Sequence, residues 1–173
     1  MLPIVDTHQH LWDMAQFSLP WLDSEGVELL RKNHLMSDYL AAAEGANITR
    51  TVYMEVDVAV GQRIEEAEFV SGLCQGDDNP MVGAVIGGSP GEQGFRAYID
   101  RFKDHREIKG VRLVLHVPEA ERGRCLQDSF IEDVRYLGAI GKIFDLCMRP
   151  EELGDALALA DQCPETQFVL DHC

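Results

Sequence analysis

The sequence places two histidines one residue apart near its beginning, in the run Asp6-Thr7-His8-Gln9-His10. Side chains alternate between the faces of a strand, so His8 and His10 are expected to point the same way, roughly 7 Å apart. Two imidazoles at that spacing can bind one divalent metal, and Asp6 on the same face could orient one of them. A pair of hydrogen-bonded core histidines is the competing interpretation.

A second histidine motif, Asp171-His172, ends the last apolar run of the chain. In a parallel barrel, the end of that run can face the first strand across the mouth of the barrel. His172 is then a candidate third metal ligand, or a group that polarises a substrate carbonyl. His10 and His172 are therefore the candidate catalytic residues.

Further polar side chains follow the apolar runs between these two motifs, where catalytic groups of parallel α/β folds gather. Glu55 is a candidate carboxylate ligand or a group that binds a substrate hydroxyl. The candidate substrate-binding residues are Trp12, Arg112, His116, Asp145 and Arg149. An internal ion pair is an equally good interpretation of Arg112, because a buried guanidinium needs an acidic partner or an anionic ligand.

Other charged and aromatic residues receive structural interpretations. Trp12 and Trp21 lie in a long insertion, residues 11–35, which is either a lid over the strand ends or a packed loop. His34 and His105 are predicted to lie at the surface. The acidic residues Glu65, Glu66 and Glu68 are predicted to form one solvated face of a helix.

Six short apolar runs alternate with segments of helical pattern. The runs lie at 3–10, 51–56, 81–86, 109–115, 142–146 and 167–171, and the longer helical patterns at 38–44, 62–75, 91–103, 128–140 and 150–163. A shorter helical pattern covers 25–32. Such repeated βα units predict an α/β fold with a parallel sheet whose strands are buried on both faces, either open or closed into a barrel.

Composition narrows the function classes. The 173 residues carry 15 basic and 30 acidic side chains, a net charge of −15, which argues against nucleic acids and anionic membranes as partners. The sequence predicts a single domain over residues 1–173. A small molecule is the expected substrate, and the protein could also form a homo-oligomer. No signal peptide or long apolar span is apparent, and the five cysteines are odd in number without a C-x-x-C pair, so a reduced, cytoplasmic protein is expected.

The residues from Pro3 to Trp12, followed by Trp21-Leu22, resemble the opening of amidohydrolase-related (amidohydrolase 2) TIM-barrel hydrolases, in the branch of sugar lactonases and 4-sulfomuconolactone hydrolase. The run Lys109-Gly-Val-Arg112 resembles the fourth strand of that branch, and residues 168–173 resemble its sixth. The resemblance implies a (β/α)8 barrel, of which this chain supplies about the first six βα units, and hydrolysis of a lactone or similar ester.

The resemblance also implies a set of site residues. In metal-using members, His8, His10 and His172 correspond to metal-site histidines, and Glu55 matches a carboxylate on the second strand. The implied cofactor is a divalent metal, zinc first, which polarises a carbonyl and lowers the pKa of bound water. Some members use the same histidines without a metal. The family's aspartate general base comes from an eighth strand beyond these residues, so we expect the 173-residue chain alone to be inactive.

Three other functions stay open at this point. A TatD-type metal-dependent DNase would carry a glutamate ligand in the region 108–113, where this chain has none. A decarboxylase of the same superfamily would carry a histidine on its fifth strand, and residues 143–147 contain none. A non-catalytic fragment that binds or assembles is the third.

Overall fold

A computed structural model describes residues 2–172 and divides the chain into two compact units, residues 1–87 and 88–173. Each unit contains three parallel strands with helices between them. The predicted alternation of strands and helices is therefore present in both units.

The first unit contains three strands that lie side by side in chain order. Its elements are β1 (Ile4–Gln9), α1 (Met36–Ala42), β2 (Ile48–Met54), α2 (Arg63–Gln75) and β3 (Met81–Gly87). Short 3-10 turns cover Pro20–Asp23, Glu28–Leu30 and Val60–Gln62. The helix predicted over 25–32 is thus reduced to a single 3-10 turn. The core of this unit includes Tyr53, Met54, Ala67, Val70, Ala84 and Ile86.

The second unit repeats this arrangement with β4, β5 and β6 side by side. Its elements are α3 (Phe95–Asp100), β4 (Ile108–Val114), α4 (Asp128–Ala139), β5 (Ile143–Cys147), α5 (Leu153–Gln162) and β6 (Phe168–Leu170), with 3-10 turns at Arg124–Leu126 and Pro150–Glu152. The helix predicted over 91–103 begins later, at Phe95, because Gly91 and Gly94 have φ values of +84° and +90°, a left-handed conformation that a helix cannot include. It also ends earlier, at Asp100. Phe130 packs edge-on against Phe144, and Val111, Val134, Leu137 and Leu159 complete the core.

The strands β1 and β6 differ from the prediction of strands buried on both faces. Ile4 and Val5 of β1 are 43% and 53% exposed, and Val169 and Leu170 of β6 are 37% and 46% exposed. In its own unit β1 pairs with β2, and β6 pairs with β5. Burial on both faces therefore does not hold for every strand of the sheet.

Two further expectations concern the chain as a whole. None of the four cysteines within residues 2–172 forms a disulfide, and Cys173 lies outside the described residues. Across that same range, no helix is long and apolar enough to cross a membrane.

Candidate functional site

The rings of His8 and His10 lie next to each other at the end of β1. Their centroids are 4.9 Å apart and their planes are nearly perpendicular, at 78°. Nδ1 of His10 lies 2.9 Å from the carbonyl oxygen of Met54, the last residue of β2. Because a carbonyl can only accept a hydrogen bond, the neutral ring carries its proton on Nδ1. Nε2 of His10 therefore keeps the lone pair with which imidazole binds metals or takes up protons.

Asp6 fixes the backbone at His8. One carboxylate oxygen accepts the backbone N–H of His8 at 3.1 Å, and the other accepts the hydroxyl of Tyr39 on α1 at 2.8 Å. Burial and the hydrogen bond to Asp6 raise the pKa of Tyr39, so its hydroxyl keeps its proton and stays a donor. The pairing of β1 with β2 is irregular between Asp6 and Gln9. Asp6 thus bonds the backbone at the end of β1, and its predicted role in orienting an imidazole stays a prediction.

Glu55 follows β2 directly and is 2% exposed. Its Oε2 accepts the backbone N–H of Asp57 at 2.7 Å, and its own N–H donates to the carbonyl of Val85 on β3 at 3.0 Å. Asp57 has a φ of +49°, in the left-handed region, so the backbone turns sharply under the carboxylate. The predicted ligand Glu55 is therefore held at the strand end by its own loop.

Glu66 reaches the same strand end from α2, and the prediction that it lies on a solvated face is wrong. It is 0% exposed, and its Oε1 accepts the hydroxyl of Tyr53 at 2.8 Å and the N–H of Val56 at 3.0 Å. Glu65 and Glu68 are exposed, as predicted. One sequence signal could have found Glu66, because it precedes the buried Val70 by four residues and so lies on the same side of α2.

The carboxylates of Glu55 and Glu66 border one small space beside Gly87. A Cβ atom added to Gly87 would lie 3.2 Å from Oε2 of Glu55, 3.7 Å from Oε2 of Glu66 and 3.8 Å from Nε of Arg63. Burial and the neighbouring Glu55 raise the pKa of Glu66 to about 7, against the opposing effect of the bonds from Val56 and Tyr53 and of Arg63. Glu66 therefore exchanges its proton near neutral pH, which an ordinary glutamate does not.

Trp12 and Trp21 pack in the long loop after β1. Their rings meet edge-on with centroids 5.7 Å apart, and Trp12 is 6% exposed. The indole N–H of Trp12 donates to the carbonyl of Lys32, and that of Trp21 to the carbonyl of Val56. The two tryptophans thus pack inside the loop, as the interpretation of residues 11–35 as a packed loop predicts. Trp12 is thus buried, and its role in substrate binding stays a prediction.

His34 is expected at the surface, and the structure shows a half-buried ring instead. The His34 ring lies 4.3 Å from the ring of Trp12, and its Nε2 is buried. Burial is the main cause that lowers the pKa of His34. Trp12 and His34 also exchange two backbone hydrogen bonds of 2.9 Å, an antiparallel bridge that the sequence pattern does not reveal. The other predicted surface histidine, His105, has a side chain that is 40% exposed.

In the second unit, Arg112 forms a buried ion pair. Its Nη1 lies 3.3 Å from Oδ2 of Asp171, and the two side chains are 6% and 2% exposed. Arg112 on β4 also lies opposite Asp145 of β5 in the strand register. The ion-pair interpretation of Arg112 is the one that the structure supports, and substrate binding by Arg112 and Asp145 stays a prediction.

His116 and His172 occupy exposed positions after β4 and β6. Nδ1 of His116 lies 3.3 Å from the sulfur of Cys147, the last residue of β5. His172 follows Asp171 with a φ of +51°, in the left-handed region. The predicted roles of His116 in substrate binding and of His172 in metal binding and catalysis stay predictions.

The side chain of Arg149 forms hydrogen bonds to the loop after β4. Its Nη1 donates to Glu152 at 2.6 Å, and its Nη2 donates to the carbonyl oxygens of Val117 and of Ala120, the latter at 2.9 Å. The bond to Arg149 is the main cause that lowers the pKa of Glu152. These bonds give Arg149 a structural role, and its predicted contact with substrate stays a prediction.

Removing the hydrogen bonds of Arg149 is expected to increase the local unfolding of this loop. Arg149→Ala deletes the donors to Val117 and Ala120, and we expect a stability loss of about 1–3 kcal/mol with faster amide exchange over residues 117–120. Arg149→Lys should rescue little, because an ammonium lacks the planar fork of a guanidinium. Hydrogen–deuterium exchange read by mass spectrometry measures the effect. Arg135→Ala is the matched control, because Arg135 on α4 also donates to a backbone carbonyl, that of Gln162, at 2.8 Å. Equal exchange over residues 117–120 in both variants would contradict the structural role of Arg149.

Comparison with known proteins places the chain in a family. The family model for amidohydrolases matches residues 5–173. The chain belongs to the amidohydrolase family. The resemblance inferred from the motifs at residues 3–12 and 168–173 is therefore confirmed.

This amidohydrolase also matches solved structures. It is 28% identical to amidohydrolase 2 from Bifidobacterium longum subsp. infantis, with a TM-score of 0.73 over 99% of this chain and 62% of that one. An amidohydrolase from Burkholderia multivorans with bound zinc shares 20% identity and a TM-score of 0.77, over 99% and 58% of the two chains. A probable 2-pyrone-4,6-dicarboxylic acid hydrolase from Acinetobacter baumannii, with citric acid bound, shares 16% identity and a TM-score of 0.66, again over 99% and 58%.

These matches confirm the predicted fold class. The amidohydrolase chain has the α/β fold of about the first six βα units of the TIM barrel that its neighbours share. It spans 62% of the length of the first relatives that it matches.

Proposed function

We propose that this amidohydrolase is part of a hydrolase that opens a lactone or a similar cyclic ester with the help of a divalent metal, zinc first. The observation that carries the proposal is the adjacent pair His8 and His10, with Nδ1 of His10 held by the carbonyl of Met54. Membership of the amidohydrolase family supports hydrolysis, and zinc in the Burkholderia structure supports the choice of metal.

The donor set fits a zinc ion. Neutral imidazoles suit zinc, and the ring of a zinc ligand commonly donates its other N–H to a backbone carbonyl, as His10 does to Met54. His8 and His10 would hold the metal, and Glu55 and His172 are the further ligands that the family resemblance implies. When bound, such a metal supplies Lewis acidity that polarises an ester carbonyl and lowers the pKa of water.

The protein's own residues prepare this site. Asp6 and Tyr39 fix the backbone at His8, and Met54 fixes the ring of His10. Glu66 holds Tyr53 and Val56, the residues on either side of Met54 and Glu55. With Nε2 of His10 left without a proton, this histidine either binds the metal or, in a metal-free reaction, takes a proton from water. The aspartate general base that the resemblance implies is not assigned to any of the described residues.

The proposed substrate class is supported by the family resemblance and by one structural neighbour. A 2-pyrone is a six-membered cyclic ester, and the Acinetobacter neighbour is named as a hydrolase of such a compound. The lactonase branch inferred from residues 3–12 acts on the same chemical group. A cyclic ester of a sugar acid or a muconolactone is therefore the proposed substrate.

The test uses a barrel-length protein that contains these 173 residues. It should open at least one sugar lactone or muconolactone, with a proton release that a pH indicator detects. His10→Ala should lower kcat/KM by at least about 100-fold, a loss within the range expected for an acid–base group or a metal ligand. His105→Ala, at a half-exposed histidine whose ring lies beside Glu107, should change it little. DNA cleavage without lactone opening would contradict the proposal.

A further inference from the structure

The sulfur of Cys147 lies in hydrogen-bond contact with the imidazole of His116, one of the predicted substrate-binding residues. Sγ of Cys147 lies 3.3 Å from Nδ1 of His116. Cys147 ends β5 opposite Val114 of β4, and the N–H of Leu115 donates to the carbonyl of Cys147 at 2.8 Å. The two side chains are therefore brought together by strand pairing and share a rigid backbone.

This geometry is the one that activates a thiol. An imidazole within hydrogen-bond distance can accept the thiol proton, and the resulting thiolate is a much stronger nucleophile than the thiol. Cys147 is 2% exposed, whereas His116 is exposed. His116 can therefore pass the proton on to solvent, while the sulfur of Cys147 lies in a sheltered position.

The other buried cysteines of the second unit lie in environments that suppress reactivity. Burial raises the pKa of Cys125 to about 11, with the carboxylates of Asp155 and Glu152 adding to the rise. Burial also raises the pKa of Cys163, whose Sγ donates to the carbonyl of Ile131 at 3.7 Å. Cys147 thus differs from both in having an imidazole as the hydrogen-bond partner of its sulfur.

We propose that Cys147 and His116 form a reactive thiol site that takes small soft electrophiles, with hydrogen peroxide as its oxidant. His116 takes the thiol proton, and the sulfur attacks one oxygen of the peroxide. An S–O bond forms as the O–O bond breaks, and the departing hydroxide takes the proton from His116 to leave as water. The sulfur is oxidised by two electrons to a sulfenic acid and the peroxide is reduced.

The site lies beside predicted substrate-binding residues. Asp145 and Cys147 are two residues apart on β5, so their side chains leave the same face of the sheet. Oxidation of Cys147 consequently places a new polar group on the face that carries Asp145. The oxidation needs neither the metal nor the lactone, so its test is independent of the test of the proposed function.

The test is the pH dependence of alkylation of the folded 173-residue chain by iodoacetamide, with each cysteine followed by peptide mass spectrometry. Between pH 8.5 and 6.5 we expect the rate at Cys147 to fall less than about threefold, whereas the rate of a free cysteine thiol with a pKa near 8.5 falls about 50-fold. The half-buried Cys74 is the internal comparison. Brief exposure to peroxide should give a dimedone adduct at Cys147 before Cys74.

Two variants separate activation from exposure. His116→Asn should give Cys147 the steep pH dependence of Cys74, while the profile of Cys74 itself stays unchanged. His105→Asn, at a half-exposed histidine elsewhere in the unit, should leave the Cys147 profile as in the wild type. A Cys147 rate that falls as steeply as that of Cys74 in the wild type would overturn the proposal. So would a thiol that reacts in urea but stays unlabelled in the folded chain.

Discussion

Arg112→Met is expected to lower the free energy of unfolding by about 3–5 kcal/mol, because it leaves the carboxylate of Asp171 buried without the guanidinium that compensates its charge. The two side chains are 6% and 2% exposed, with Nη1 and Oδ2 3.3 Å apart. Solvent cannot replace the lost partner at that depth. Urea unfolding followed by circular dichroism measures the loss.

The partner substitution makes this prediction specific. Arg112→Met combined with Asp171→Leu should recover most of the loss, since apolar groups of similar size often replace a buried ion pair at little cost. Arg124→Met breaks an ion pair with Glu92 whose side chains are 25% and 55% exposed, and it should cost about 1 kcal/mol or less. A single Arg112→Met variant within about 1 kcal/mol of the wild type would show that the pair contributes little.

Glu66→Gln is expected to stabilise the chain at pH 8 and to leave it unchanged at pH 4.5. The folded pKa of Glu66 is raised to about 7 from its ordinary value of 4.5. Below pH 4.5 both the folded and the unfolded chain hold the proton, so the carboxyl group does not change the free energy of unfolding. As the pH rises toward 7, the unfolded chain ionises first and the folded state loses roughly 3 kcal/mol relative to it.

The amide introduced by Glu66→Gln cannot ionise, yet its oxygen can still accept the bonds from Tyr53 and Val56. The difference in stability between the variant and the wild type should therefore grow between pH 4.5 and 7 and then level off. Chemical denaturation at several pH values in metal-free buffer measures it. Glu65→Gln, on the exposed face of α2, is the control. Parallel curves for Glu66→Gln and the wild type would show that Glu66 ionises normally.

Most of the fold could be predicted from the sequence because its signals are local. The apolar runs identify all six strands within about three residues, and the helices α2 and α4 follow from apolar spacing that ends at Gly76 and Gly141. The apolar spacing does not predict where α3 begins, because its start depends on the backbone conformation at Gly91 and Gly94. The His8–His10 pair was found because the two histidines share one strand end.

The missed features depend on contacts between distant residues. Glu66 looks like its neighbours Glu65 and Glu68 in the sequence, and only the packing of α2 separates it from them. The contact of Cys147 with His116 needs the register of β4 and β5. The pairing of Arg112 with Asp171 joins residues 59 positions apart, which no local pattern encodes.

Zinc binding by the 173-residue chain is the most direct test of the proposed metal site. Equilibrium dialysis with elemental analysis should find about one zinc per chain. His8→Ala and His10→Ala should each weaken the affinity by more than about 100-fold, since even outer partners of metal ligands are worth 10–100-fold. His105→Ala should bind as the wild type does. Equal zinc affinity in the wild type, His8→Ala and His10→Ala would contradict a metal site built on this histidine pair.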